Sequence, residues 1–248
     1  GSADEIEVTG VTAQAPGNSF LPSGYSGPWA YLRNVFAASG LVDGVDYSLR
    51  QWRSASEPWP GKFRFDWSFP NSRPDSEFCW GYPALMWGAG PWGYPYGTSG
   101  HAAPMQCKDI ADFTIDVDLA FSGANGADIL IDVYVLKGTG APVFDGDYHN
   151  EISILLSHNG VGPIDWLTTE ATATRTFPAP LGDCAIYKQP TSRQIMVMPR
   201  TGSLRRDVMT GLIDAGEVID HLISIGLVEP NGWLAGFEIG VETQRPNA

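Results

Sequence analysis

Two stretches of this 248-residue chain bring carboxylates together in a pattern that could do chemistry. The first is Gly146 to Trp166, GDYHNEISILLSHNGVGPIDW, where Ile152, Ile154 and Leu156 alternate with Glu151, Ser153, Leu155 and Ser157. A period of two is that of a strand with one face in a core, so Glu151 opens the other face among short side chains. The second stretch runs to Glu242. Trp233, Ala235, Phe237, Ile239 and Val241 share one of its faces, and Leu234, Gly236, Glu238, Gly240 and Glu242 share the other. Glycines between carboxylates leave an open floor of the kind a bulky ligand needs. A lone Glu is most often a solvated surface group; two strands of the same design point instead to a shared carboxylate-lined face. Cleavage of a glycosidic bond uses such a set, one carboxylate to attack the anomeric carbon and one carboxylic acid to protonate the leaving oxygen.

Sugar chemistry also needs flat apolar platforms, and the chain is rich in them. Trp80, Tyr82, Trp87, Trp92, Tyr94 and Tyr96 fall in one segment punctuated by Gly and Pro, and are predicted to line a groove with exposed rings. The alternative for that segment is a loop packed by its own aromatics. Around it lie strand patterns at Trp29–Ala37, Leu41–Trp52, Gly61–Phe69, Asp112–Phe121, Asp128–Leu136, Thr172–Pro178, Asp183–Gln189 and Gln194–Pro199. In Asp128–Leu136, Ile129, Ile131, Val133 and Val135 face a core, while Asp128, Leu130, Asp132 and Tyr134 face away. The one helix signal is Asp214–Ile225, with Asp214 as N-cap, Glu217 three residues on and Gly226 to end it; Val218, Leu222 and Ile225 would form its buried stripe. Residues 1–28 are polar and rich in Gly and Pro, and read as a flexible arm ahead of a single domain over 29–248.

Bulk composition narrows the function. Net charge is −13 with only 15 Lys and Arg, so nucleic acid is excluded as a partner and a neutral substrate suits the surface better than a polyanion. No apolar run approaches the length of a membrane span. There is no P-loop, dinucleotide fingerprint, HExxH or GxSxG, and the four histidines are scattered, which leaves no metal site or His-based triad to propose. Cys79, Cys107 and Cys184 show no ligand spacing, and one disulfide or three thiols fit equally. Gly1-Ser2 reads as a cloning remnant, compatible with a trimmed export signal.

GDYHNEISILLSHNGVGPI resembles the nucleophile strand of glycoside hydrolase family 12, the small jelly-roll endoglucanases and xyloglucanases. The resemblance puts Glu151 on the nucleophile and Pro163 on the loop that crosses the cleft. WLAGFEIGVET is similar to the family's last strand; aligning Gly240-Val241-Glu242 with it gives the acid/base role to Glu242 and leaves Glu238 as a substrate contact. Asp132 falls on the Asp that the family keeps beside its nucleophile. Asn34-Val35-Phe36 resembles a cleft motif in which Phe36 replaces Trp. Ser153 and Leu155 stand where the family usually has Met and Trp.

These features together predict an all-β jelly-roll sandwich of two antiparallel sheets, concanavalin-like, with one short helix on the convex side. The resemblance implies a retaining endo-hydrolase of β-1,4-linked glucan, cellulose-like, mixed-linkage or xyloglucan. Glu151, Glu242 and Asp132 would be catalytic, with the carboxyls of Glu151 and Glu242 about 5–6 Å apart on near-adjacent strands. Asn34, Phe36, Trp80, Trp87, Trp92, Tyr94, Pro163 and Glu238 would bind substrate. It further implies no cofactor, a polysaccharide or oligosaccharide partner, a monomer, and a secreted or periplasmic location. The rival readings are a carbohydrate-binding jelly roll without turnover and a polysaccharide lyase of similar fold.

Overall fold

The computed structural model describes residues 4–8, 19–20, 25, 27–35, 40–69, 79–88, 104–122, 127–138, 148–158, 170–188, 190–191, 193–200 and 208–244. In chain order its first strands are β1 (Glu5–Glu7), β2 (Ser19–Phe20), β3 (Trp29–Leu32), β4 (Ser48–Ser54), β5 (Phe63–Ser68) and β6 (Cys79–Gly81). Then come β7 (Ala84–Gly88), β8 (Met105–Gln106), β9 (Thr114–Ala120), β10 (Ala127–Leu136), β11 (Tyr148–His158) and β12 (Ala173–Thr176). The last are β13 (Asp183–Lys188), β14 (Gln194–Pro199), β15 (Val208–Asp214), β16 (Trp233–Leu234) and β17 (Gly236–Gln244). One α-helix among the described residues, α1 (Ala215–Ser224), follows β15 directly.

Period-two patterning decides the layers. The main sheet runs β12-β13-β14-β11-β10-β17-β7-β3-β2, with β6, β8 and β16 added along it; β1-β4-β5 and β15-β9 form two smaller sheets. Ile129, Ile131 and Val133 of β10, Ile152 and Ile154 of β11, and Phe237, Ile239 and Val241 of β17 all project from one face. They pack against Ile115 and Val117 of β9, Met209 and Ile213 of β15, and Val218, Ile219 and Leu222 of α1, with Phe63, Phe65 and Trp67 of β5 at the margin. Each fully buried aliphatic side chain there contributes roughly 1.5–3 kcal/mol, so this interface holds the sandwich shut. The opposite face carries a smaller apolar cluster of Ala30, Leu32, Tyr82, Ala84, Met86, Leu130, Leu155, Met196 and Met198.

The helix forms as its sequence predicts. Asp214 Oδ1 accepts from the Glu217 N–H at 2.8 Å, which satisfies a donor the helix cannot satisfy itself. Its buried side is Ala215, Gly216, Val218, Ile219 and Leu222, whereas Ile225, expected in the stripe, is 38% exposed because the helix ends one residue earlier.

Four further expectations are corrected. Residues 5–7 of the presumed flexible arm are a strand paired to β4, tied down by Asp4 to Ser54 at 2.6 Å and by Glu5 to Arg64 at 3.0 Å. The aromatic segment is not all loop: β6 and β7 lie within it and pair with β17. The main sheet is not wholly antiparallel, since β11 and β14 run parallel. The strand read from Leu41 begins only at Ser48; the residues before it turn, with the Asp46 N–H donating to Val42 O at 2.8 Å.

Candidate active site

The carboxylates meet on the face of the main sheet opposite the large core. Three neighbouring strands supply them, β11, β10 and β17, and their register sets the geometry. Across β10 and β11, Tyr134 stands opposite Glu151, and Asp132 opposite Ser153. Across β10 and β17, Asp132 stands opposite Glu238, Leu130 opposite Gly240, and Asp128 opposite Glu242. Glu151 and Glu238 therefore flank Asp132 from its two sides, displaced by two residues, or about 6.6 Å, along the strands. Glu242 is displaced from Glu151 by six residues, about 20 Å along the strands. Its own rung is a separate one, where Asp128 pairs with His158 at 2.5 Å.

Register sets Glu238, rather than the expected Glu242, nearer to Glu151 along the strands. Two carboxyls that serve one glycosidic oxygen at about 5–5.5 Å need backbone positions near each other, and register gives that position to Glu238. Glu238 and Glu242 share a face, as the alternation predicts, so periodicity alone could not choose between them.

Burial makes these groups hold protons. Glu238 is 1% exposed, and burial first, then the charge of Asp132, pushes its carboxyl up to about 8. Glu151 is half-buried as a residue, yet enclosure of its carboxyl, then the charges of Glu242 and Glu238, also push it up to about 8. Asp132, 4% exposed, is raised well above the carboxylate range by burial and then by the Glu151 charge. Against these, Ser153 Oγ donates to Asp132 Oδ1 at 2.6 Å, and hydrogen bonding from the Tyr82 phenol acts in the same direction. At Glu151 the Glu242 charge acts more strongly than the Glu238 charge, and Glu242 is felt at Asp132 too, so the fields and the register point to different partners; we follow the register, which rests on backbone pairing.

Tyr82 was anticipated as a groove aromatic, but its place is inside the cluster. It is 7% exposed, its single phenol proton is shared between Asp132 and Leu130 O at 3.3 Å, and burial followed by the Asp132, Glu238, Glu242 and Glu151 charges raises it well above its usual value. Gly240 makes room for it. A Cβ there would sit 2.6 Å from Pro83 O and 2.8 Å from Tyr82 Cζ, closer than real Cβ atoms come.

The aromatic platforms fare differently. Trp80 is 1% exposed and stacked on Phe69 at 5.5 Å, so it offers no free ring face. Trp87 packs against the large core and stacks on Phe237 at 5.9 Å, on the side away from the carboxylates. Both were read from density of aromatics, which does not reveal which way a strand turns its side chains. Asn34 sits just past β3 with φ +43°, and its carbonyl accepts from Tyr82 N at 2.9 Å, beside the cluster through Tyr82. Phe36, Trp92, Tyr94, Tyr96 and Pro163 lie outside the described residues. Cys107 is a buried free thiol, and the buried Cys184 directs its Sγ to Leu181 O at 3.9 Å.

No protein-family model matches the chain, and no curated protein matches it in sequence. Solved structures do match in fold. A native family 12 xyloglucanase from Bacillus licheniformis superposes with a TM-score of 0.67 at 12% identity, over 96% of this chain and 92% of its own. An endoglucanase from Rhodothermus marinus gives 0.62 at 17% identity, over 96% and 90%. A metagenome-derived family 12 endoglucanase gives 0.63 at 18% identity, over 89% and 85%. The chain has the jelly-roll fold of the family 12 glycoside hydrolases.

Proposed function

We propose that this protein is a retaining glycoside hydrolase acting within β-1,4-linked glucan chains, with Glu151 as nucleophile and Glu238 as acid/base. The observation that carries the reading is the flanking of Asp132 by Glu151 and Glu238 on one face of three adjacent strands. The structures of like fold, by their own descriptions endoglucanases and xyloglucanases, support the substrate class.

The steps follow from the proton inventory. Two buried carboxyls close together do not both ionise readily, and the double displacement uses the form with Glu151 charged and Glu238 protonated. Glu151 attacks the anomeric carbon and the glycosidic bond breaks as Glu238 gives its proton to the leaving oxygen. Glu238, now a carboxylate, takes a proton from water, which hydrolyses the glycosyl-enzyme and frees Glu151. Asp132 between them accepts from Ser153, and when it is ionised its charge raises Glu238 further.

Release of reducing sugar from β-glucan, mixed-linkage glucan and xyloglucan, compared with Glu151→Gln, tests the proposal. Turnover that the substitution abolishes is expected. Binding of these glucans without turnover would overturn it in favour of a carbohydrate-binding jelly roll.

A further inference from the structure

Ser153 is wholly buried, 0% exposed, one rung from Glu151. It is held from both sides. Gln194 Nε2 donates to Ser153 Oγ at 3.0 Å, and Ser153 Oγ lies 2.6 Å from Asp132 Oδ1. Gln194 is in place because β14 runs parallel to β11 with Gln194 opposite Glu151 and Met196 opposite Ser153.

The direction of these bonds is dictated by the donors. An amide nitrogen can only donate, so Ser153 Oγ must accept from Gln194. The single hydroxyl proton of Ser153 is then left for Asp132, and Asp132 Oδ1 is an acceptor in every protonation state of the site. We propose that Gln194 and Ser153 form a one-way hydrogen-bond relay onto Asp132, positioning residues that keep Oδ1 unprotonated and confine any proton of Asp132 to its other oxygen.

The relay works against its surroundings. Asp132 faces Glu151 on β11, Glu238 and Glu242 on β17, Tyr82 beside β6, and Asp128 and Tyr134 on its own strand. The carboxylates resist a charge on Asp132, and the relay with the Tyr82 phenol favours it. An ionised Asp132 in turn helps Glu238 keep its proton. For its effect on catalysis this inference rests on the hydrolase reading; for the state of Asp132 it does not.

The test separates the two. The carboxyl carbon of Asp132 is followed by 13C NMR through a pH titration in the parent, Ser153→Ala, Ser153→Thr and Gln194→Met proteins, with Asp132→Asn to assign the signal. Loss of a bond donated to the charged form raises the midpoint, by about one pH unit in Ser153→Ala. Gln194→Met moves it the same way by less, and Ser153→Thr restores the parent value. In turnover, Ser153→Ala brings the basic limb of kcat/KM to lower pH, whereas loss of packing alone lowers activity equally at every pH. An Asp132 midpoint unchanged in folded Ser153→Ala overturns the relay. A parent with no glucanase activity overturns the functional reading and leaves the titration to decide the relay.

Discussion

Replacing Glu238 and Glu242 by Gln, one at a time, separates the two carboxylates that share a strand face. Glu238 is buried and pushed up to about 8. At pH 6 such a group lacks its proton in roughly one molecule in a hundred. An ordinary Glu at about 4.3 would carry the proton in roughly one in fifty, so the environment enlarges the acid form about fiftyfold. Glu238→Gln removes the donor, and kcat/KM on an unactivated glucan should fall about 10²–10⁴-fold, the usual contribution of a positioned acid/base. On an aryl glycoside with a good leaving group, glycosylation needs little protonation and is partly spared. Azide then restores turnover by attacking the intermediate without a base. Glu242→Gln only removes a charge that raises Glu151, so Glu151 ionises more easily. Its acid limb should move to lower pH by about a unit or less, with no azide rescue. Azide rescue at Glu242→Gln together with near-normal activity at Glu238→Gln would refute the argument from register.

Stability should depend on pH through the same groups. Glu151 and Glu238 are raised to about 8 in the folded chain from about 4.3 unfolded, so the native state binds protons more tightly. Their contribution is full below about pH 4 and is lost as pH rises through about 8. Thermal melting at pH 5 and pH 9 should show that loss, and Glu238→Gln should lessen it; a pH-independent melting temperature would contradict the buried placement. Gly240→Ala must displace Pro83 or Tyr82, and should cost about 1–3 kcal/mol in urea denaturation as well as activity. Trp80→Ala should cost about 3–5 kcal/mol of stability through loss of packing on Phe69. A Trp80→Ala protein of parental stability with weakened glucan binding would instead make Trp80 a sugar platform.

Periodicity made the faces legible and left the register hidden. The alternation in β10, β11 and β17 reveals from sequence that Asp132, Glu151, Glu238 and Glu242 point away from the core, as they do. Nothing in a single strand says which residue its neighbour stands opposite, because that is set by turns and packing elsewhere in the sheet. Glu242 and Glu238 are therefore told apart in the sequence only by alignment to a motif, and the register of β10 with β17 favours the one four residues earlier. The capping box of α1 was readable because its signal is local. The aromatic segment was not, because β6 and β7 gain strand character from pairing with β17, and Trp80 and Trp87 take their burial from partners distant in sequence. Tyr82 carried a signal of its own: a Tyr-Pro pair beside a strand that later faces the narrow Gly240.

The most direct test of the central claim is to trap the intermediate with a 2-deoxy-2-fluoro glycoside bearing a good leaving group and to locate the label by peptide mass spectrometry. A covalent glycosyl group on Glu151, absent in Glu151→Gln, is the predicted result. Label on Glu238 or Glu242, or turnover with inverted configuration and no covalent adduct, would contradict it.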